Sequence, residues 1–392
     1  MNPQLAKLKK VTFFLAAIST ASISAMAHAD WSIKGLGTLG GYSSTANGIN
    51  DSGQVVGYST NESDPYYHAF ITGPNGIGMT DLGTLGGSYS RAYGINDSGQ
   101  VVGLSPIRDD YPVHAFITGP NGIGMTDLGT LGGSYSGAYG INDSGQVVGF
   151  SFTSSTSNHA FITGPNGIGM TDLGTLERGQ SSATGINSSG QVVGFSNSID
   201  RDHFHAFITG PNGIGMTDLG TLGGEESRAF GINDSGQVVG YSSADFFKQA
   251  FITGPNGIGM INLGTLGGDF SEAHGINNAG EVVGVAATAT GESHPFLFSH
   301  GGITDLSLLA PVVAAGWTDI DVSSINNNGQ MVGDGIHNGH YEAFLLSYTP
   351  DTVFDPKPIY IPPVPEPETY LMLLAGLGLI GFIARRRKET DL

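Results

Sequence analysis

Histidines recur at His68, His114, His159 and His205, and acidic residues gather at Glu177, Glu225, Glu226, Asp269 and Glu272. Histidine is the usual proton carrier and metal ligand near neutral pH, and two carboxylates held roughly 5 to 9 Å apart serve glycoside hydrolysis. The spacing favours plainer roles. The histidines fall one repeat apart, too far to share a metal, so each is expected to pack or bond locally at a strand start. The acidic residues fall between predicted strands, where a solvated rim is the alternative to an acid–base pair. The recurring turn Asn-Asp-Ser-Gly, as at 96–99, is similar to a calcium loop only in its first residues, because the alternating Asp/Asn pattern and distal Glu are missing. No metal set or cofactor is therefore expected, with calcium the one ion left open. The aromatics Tyr66, Tyr67, Tyr111, Phe204, Phe246 and Phe247 could stack on sugar rings or a partner. No nucleophile elbow, phosphate loop, dinucleotide fingerprint or zinc spacing is present, so no catalytic residue is assigned.

Composition narrows the classes. The 392 residues include 63 glycines, no cysteine and a net charge of −19, with only 12% charged residues. Abundant glycine disfavours long helices, since each interior Gly costs roughly 1 kcal/mol relative to Ala. The absence of cysteine removes disulfides, thiolate metal sites and cysteine catalysis. Seven of the 15 basic residues lie in the two end segments, leaving a strongly acidic body. Nucleic acid and anionic lipid are poor partners for such a surface; cations and neutral glycans suit it better.

The elements that would position these residues come from an internal repeat. Gly-Ile-Asn begins at Gly48, Gly94, Gly140, Gly185, Gly231 and Gly275, with a worn copy at Ser324. His-Ala-Phe begins at His68, His114, His159 and His205 and decays to Gln249, His294 and Glu342. Leu-Gly-Thr-Leu begins at Leu36, Leu82, Leu128, Leu173, Leu219 and Leu263, with a worn copy at Leu306. A period of roughly 45 residues signals a repeat architecture. Each unit reads as four short strands, in the second unit a (91–96), b (100–105), c (114–118) and d (125–131), with apolar and β-branched residues inside and turn residues between. The fold class expected is all-β, a seven-bladed β-propeller of four-stranded antiparallel blades, with a linear β-solenoid as the alternative. A lone d-type strand at 32–39 precedes the first unit, and the last unit has a, b and c but no d. The N-terminal strand is therefore expected to close the last blade and hide the sheet edges. Small residues at one register (Ala46, Ala92, Ala138, Ala183, Ala229, Ala273 and Val322) place strand a nearest the axis.

Antiparallel order puts the a–b and c–d turns on one face and the b–c and d–a connections on the other. The first set is nearly invariant; the second varies and carries acids and aromatics. A residue repeated in every unit most simply serves the fold, and a symmetry-breaking one can serve a ligand. The candidate binding face is thus Tyr66, Tyr67, Tyr111, Glu177, Arg178, Phe204, Glu225, Glu226, Phe246, Phe247 and Asp269, although drift of duplicated loops would give the same variability.

Both ends carry export signals. Basic residues at 7–10, an apolar stretch at 11–18 and Ala27-His28-Ala29 read as a signal helix and cleavage site, making 1–29 a signal peptide handled by the secretion translocon, with an N-terminal anchor as the alternative. The body is 30–349. A Pro-rich linker spans 350–363. The tail, 364–392, holds Pro365-Glu366-Pro367, an apolar run at 370–384 and Arg385-Arg386-Arg387. That run makes a minimal transmembrane helix whose basic flank stays in the cytoplasm.

The repeat words resemble the HAF family of extracellular bacterial repeat proteins, and the tail resembles the PEP-CTERM sorting signal. The second resemblance implies recognition by an exosortase-type processing enzyme of a Gram-negative bacterium. It implies a transient membrane anchor before cleavage and release to the cell surface or extracellular matrix, with a permanent single-pass anchor as the alternative. The reading is an exported surface or biofilm-matrix binding protein contacting exopolysaccharide or surface proteins. Its rivals are a secreted carbohydrate-active enzyme using Glu177, Glu225 or Asp269, and a protein of calcium-dependent matrix assembly.

Overall fold

The computed structural model describes residues 30–62, 66–109, 111–153, 157–177, 179–198, 203–244 and 247–349. The segments 1–29, 350–363 and 364–392, with Ala27, Ala29, Pro365, Glu366, Pro367, Arg385, Arg386 and Arg387, lie outside them, as do the expected signal and tail helices.

Seven four-stranded antiparallel sheets form seven blades. Blade 2 shows the plan: a is Arg91–Ile95, b is Val101–Pro106, c is Val113–Thr118 and d is Met125–Asp127. Strand d is shorter than the sequence suggests. After Asp127 the chain bends at Gly129, whose φ of +71° is left-handed and suits glycine. Blade 7 takes a from Thr318–Ile325, b from Met331–His337, c from His340–Thr349 and d from Asp30–Gly37. The N-terminal strand pairs with the last through Ile33↔Leu346 and Gly37↔Ala343, so the ring closes as expected. A short helix, Ala310–Ala314, fills the longer connection into blade 7, where Pro311 and no β-branched alternation precede the next strand; the repeat pattern gives no sign of it.

The core lies between blades. Val56, Ala69 and Ile71 of blade 1 pack on Ala92, Val101 and Phe116 of blade 2, and near-copies of this cluster recur around the ring. One phenylalanine per blade, from Phe70 to Phe344, is fully buried. The small a-strand residues are also fully buried, and they sit beside a bulge, as between Ala92 and Gly94. The bulge presses strand a onto strand b: a Cβ on Gly57 would lie 1.9 Å from the Thr45 carbonyl oxygen. The Val-Val-Gly triplet is thus a steric requirement. Around the axis, a Cβ on Gly48 would lie 2.8 Å from the Tyr93 carbonyl oxygen of the next blade.

Neighbouring blades are joined by a serine. Ser90 Oγ accepts from the Ala69 N–H at 2.8 Å and donates to the Gly83 carbonyl at 2.6 Å. At the seam, Ser44 Oγ accepts from the Ala343 N–H at 2.9 Å and donates to the Gly37 carbonyl at 2.6 Å. The seam thus carries the same buried bonds as an internal joint. Removing one partner of such a bond costs about 1–3 kcal/mol. Ser44→Ala and Ser136→Ala are therefore expected to lower the unfolding free energy by similar amounts, about 1–3 kcal/mol each, in urea titrations. A neutral Ser44→Ala beside a costly Ser136→Ala would mean that the ring frays at its seam.

Candidate functional site

The invariant face spends its polar groups on the ring. Asn96 Oδ1 accepts from the Gln100 N–H and from Ser98 Oγ, closing its own turn, while Nδ2 donates to Gln100 Oε1 and to the Asn142 carbonyl. The Gln100 amide then reaches Asn166 in the c–d turn of blade 3. Asn166 takes a left-handed φ of 56°, a conformation asparagine tolerates. The aspartates beside the asparagines ring the channel mouth and accept backbone N–H groups from the preceding blade, as Asp97 does from Asp51 and Asp143 from Asp97. Burial, with Asp51 and Asp143 nearby, pushes the Asp97 carboxyl up. Asp234 is also partly buried, but bonds from Ser188 and Asn278 outweigh that and hold it down. Among the described residues no group of three His, Cys, Asp or Glu side chains is placed to hold a metal ion.

The repeated histidines serve strand d. His68 Nδ1 lies 2.8 Å from Asp81 Oδ2, and Asp81 Oδ1 accepts the Gly83 N–H at the bend that ends the strand. His114–Asp127, His159–Asp172, His205–Asp218 and His294–Asp305 pair likewise. Where the histidine itself is lost, both partners change. Gln249 accepts from Asn262. At the seam Glu342 itself accepts the Gly37 N–H, and Gly35 leaves room for it, since a Cβ there would lie 2.4 Å from Glu342 Oε1.

The variable face is different. A cleft of about 460 Å³ opens across blades 1 to 3. Blade 1 contributes Tyr66 and Tyr67, blade 2 Tyr89, Arg91, Tyr93 and Leu104, and blade 3 Tyr135 and Tyr139. Tyr93 and Tyr139 meet edge to face at 5.2 Å, and Tyr135 stacks on Phe150 at 5.6 Å. The Arg91 guanidinium lies 5.0 Å from the Tyr58 ring centre and 5.8 Å from that of Tyr67. Burial raises the hydroxyl pKa of Tyr93, Tyr135 and Tyr139, so all three stay protonated hydrogen-bonding groups. Tyr93 and Tyr139 also wall the central channel.

The residues expected on this face are dispersed. Only Tyr66, 49% exposed, and Tyr67 line the cleft. Tyr111, 59% exposed, hydrogen-bonds Ser134 of the next connection. Phe204 packs on Phe195 beneath Arg228, and Phe247 is 47% exposed at the start of its strand. Glu177 and Asp269 are exposed. Glu225 pairs with His203 at 3.2 Å, and Glu226 with Arg228 at 2.9 Å. Arg178 and Phe246 lie outside the described residues. The cleft residues that sequence reading missed are Arg91, Tyr93 and Tyr139 inside strand a, Tyr89 and Tyr135 just before it, and Leu104 in strand b. Their signal was available as symmetry breaking at alternate strand positions, since the equivalents of Arg91 are Thr45, Gly137, Ser182, Arg228, Glu272 and Asp321.

One acidic pair escaped the sequence reading. Asp321 and Asp334 face each other across strands a and b of blade 7. Burial, and then the charge of Asp321, push the Asp334 carboxyl up to about 6. His274 Nδ1 approaches Asp321 at 3.9 Å.

Residues 363–388 match the PEP-CTERM protein-sorting motif, a span that holds Pro365, Glu366, Pro367 and Arg385 to Arg387. The chain therefore bears the signal of an exported protein, anchored in the membrane until an exosortase sorts it. Comparison with curated proteins gives no match. Among solved structures, the chain is similar to the β-propeller domain of the Trilobed protease from Pyrococcus furiosus, at 11% identity and a TM-score of 0.51, over 81% of this chain and 98% of that one. Oligogalacturonate lyase from Vibrio parahaemolyticus gives 10% identity and a TM-score of 0.52, over 81% and 97%. A puromycin-hydrolyzing peptidase of Mycobacterium tuberculosis gives 11% and 0.52, over 80% of this chain and 55% of that one. The Pyrococcus domain is described as having an open velcro topology, whereas here the N-terminal strand closes the last blade. At these identities the likeness is one of fold, and the fold is the seven-bladed β-propeller.

The raised carboxyl of Asp334 has a consequence for stability. A carboxyl whose folded pKa exceeds its ordinary 3.8 ionises more readily in the unfolded chain, so folding loses stability as pH climbs through about 4 to 6. Asp334→Asn is expected to melt higher than the wild type at pH 7, with the gap closing below pH 4. A gap that stays constant from pH 3.5 to 8 in paired melting curves would contradict the assignment.

Proposed function

We propose that this chain is an exported binding protein of the cell surface or extracellular matrix, of the HAF-repeat type, contacting exopolysaccharide or surface protein through the variable face of its propeller. Its N-terminal 29 residues act as a signal peptide cut after Ala29, and its apolar run at 370–384 holds it in the inner membrane until the tail is processed. The carrying observation is the cleft of about 460 Å³ walled by six tyrosines, on the face where the repeat loses its symmetry. Tyrosine offers a rigid apolar ring for stacking and a hydroxyl for hydrogen bonding, which together suit a sugar. Polar groups on the opposite face are engaged within the ring, which leaves them less free for a ligand.

A second reading, a carbohydrate-active enzyme, draws support from Asp334, a carboxyl near pKa 6 facing another carboxylate, since a general acid needs a raised pKa. Glu177, Glu225 and Asp269 are exposed acids on separate connections, which weakens the acid–base role considered for them.

The test is a glycan array probed with the full chain in detergent, followed by product analysis of each bound glycan. Binding without shortened products, retained in Glu225→Gln and Asp334→Asn, is expected. Products that vanish with one of those changes would establish the enzyme reading instead.

A further inference from the structure

The propeller supplies its own control for the cleft. Arginine occupies the same strand-a register in two blades, Arg91 in blade 2 and Arg228 in blade 5. Each lies over two aromatic rings of the preceding blade, Arg91 over Tyr58 and Tyr67, and Arg228 over Phe195 and Phe204. Their partners differ. Arg228 Nε donates to Glu226 Oε1 at 2.9 Å. Two residues before Arg91 the equivalent position is Tyr89, and Arg91 Nε is buried with no hydrogen-bond partner. Among the described residues Arg91 forms no ion pair.

A guanidinium held against aromatic faces, partly withdrawn from water and without a carboxylate, is an incomplete arrangement. Its fork geometry fits a carboxylate. Tyr66, Tyr67, Tyr89 and Tyr93 stand around it in the same cleft, with ring faces for a sugar and hydroxyls for its alcohols. On blade 3 the equivalent position is Gly137, where a Cβ would lie 2.9 Å from Phe150 and 3.4 Å from Leu104, so this wall of the cleft carries no side chain.

We infer that the cleft takes a uronate: a sugar ring stacked on tyrosine, with its carboxylate supplying to Arg91 the partner that Glu226 supplies to Arg228. This rests on the glycan-binding reading above and narrows it. One guanidinium on a chain of net charge −19 matches isolated carboxylates among neutral sugars. A dense polyanion would meet long-range repulsion, whereas a single carboxylate is recognised at contact distance, inside the screening length of about 8 Å at physiological salt.

The experiment is calorimetric titration of the full chain in detergent at 0.15 M salt. The probes are oligosaccharides of gellan, whose glucuronates are separated by neutral sugars, and the same oligosaccharides after reduction of their carboxyl groups. The native form is expected to bind at least about tenfold more tightly, as loss of a charge-assisted bond implies. Arg91→Gln should erase that difference, bringing the two forms to equal affinity. Tyr89→Glu should erase it too, by giving Arg91 the internal partner that blade 5 already accommodates, so a poorly folded Arg91→Gln would not decide the matter. Arg228→Gln should leave the difference intact.

Equal binding of the two forms, or a difference that survives both Arg91→Gln and Tyr89→Glu, overturns the proposal. So does failure of both forms to bind. In that case an array with neutral glycans bound would leave the broader reading standing, and a blank array would remove it.

Discussion

One side-chain amide per blade holds the centre of this protein. The asparagine that ends each inner strand donates to the backbone carbonyl of its counterpart in the next blade: Asn50 to Asn96, then Asn142, Asn187, Asn233, Asn277 and Asn326, and from Asn326 back to Asn50. The distances run from 2.9 to 3.2 Å. Because the cycle has no end, opening one bond strains the register of its neighbours, and buried polar groups left unpaired are costly. The rest of the inner geometry follows from this approach. The strands nearest the axis come closest at the Gly-Ile-Asn glycines of blades 1 and 2, where a Cβ on Gly48 or Gly94 would lie 2.8 Å from a carbonyl oxygen of the next blade, while blade 7 admits Ser324 there; the bulges force glycine onto the partnering strand b.

The constraint also explains how the repeat decays. The His-Ala-Phe motif weakens in the later units, yet the job of its histidine is kept by changing both partners. His–Asp becomes Gln–Asn in blade 5 and Glu–Gly at the seam. Each solution supplies an acceptor for the backbone N–H at the bend after strand d. What the fold requires is that acceptor, and histidine is one way of orienting it. Such paired changes mark a structural role, whereas Arg91 and Arg228 keep the same residue and part company in what surrounds it.

Much of the architecture could be read from the chain alone, because repetition multiplies weak signals. A single Asn-Asp-Ser-Gly turn says little; seven turns of this type at one period, four of them with that sequence, together with an unpaired strand at the start and a missing one at the end, specify a closed ring. The division into an invariant and a variable face was readable for the same reason. The site was read less well. Attention to loops singled out Glu177, Tyr111 and Phe247, which the fold spreads around the rim, while the cleft is built chiefly from the inner strands of blades 2 and 3 and the residues that lead into them. Tyr93 and Tyr139 occupy positions that other blades fill with Asn47, Thr184, Phe230, His274 or Ser323, and a strand residue that breaks symmetry carries as much information as a loop residue. The pairing of Asp321 with Asp334 was hidden because it depends on strand register within a worn repeat. The short helix at Ala310–Ala314 has no counterpart in other units for comparison.

On the function proposed above, an almost symmetric ring carries one asymmetric binding site, in the cleft of blades 1 to 3. Hydroxyl-radical footprinting of the tyrosine side chains, with and without a bound polysaccharide, tests it most directly. Tyr66, Tyr89 and Tyr135 are expected to lose reactivity together on binding, while Tyr42 and Tyr341, which are exposed elsewhere, do not change. Protection of Tyr42 and Tyr341 with the cleft tyrosines unaffected would contradict it.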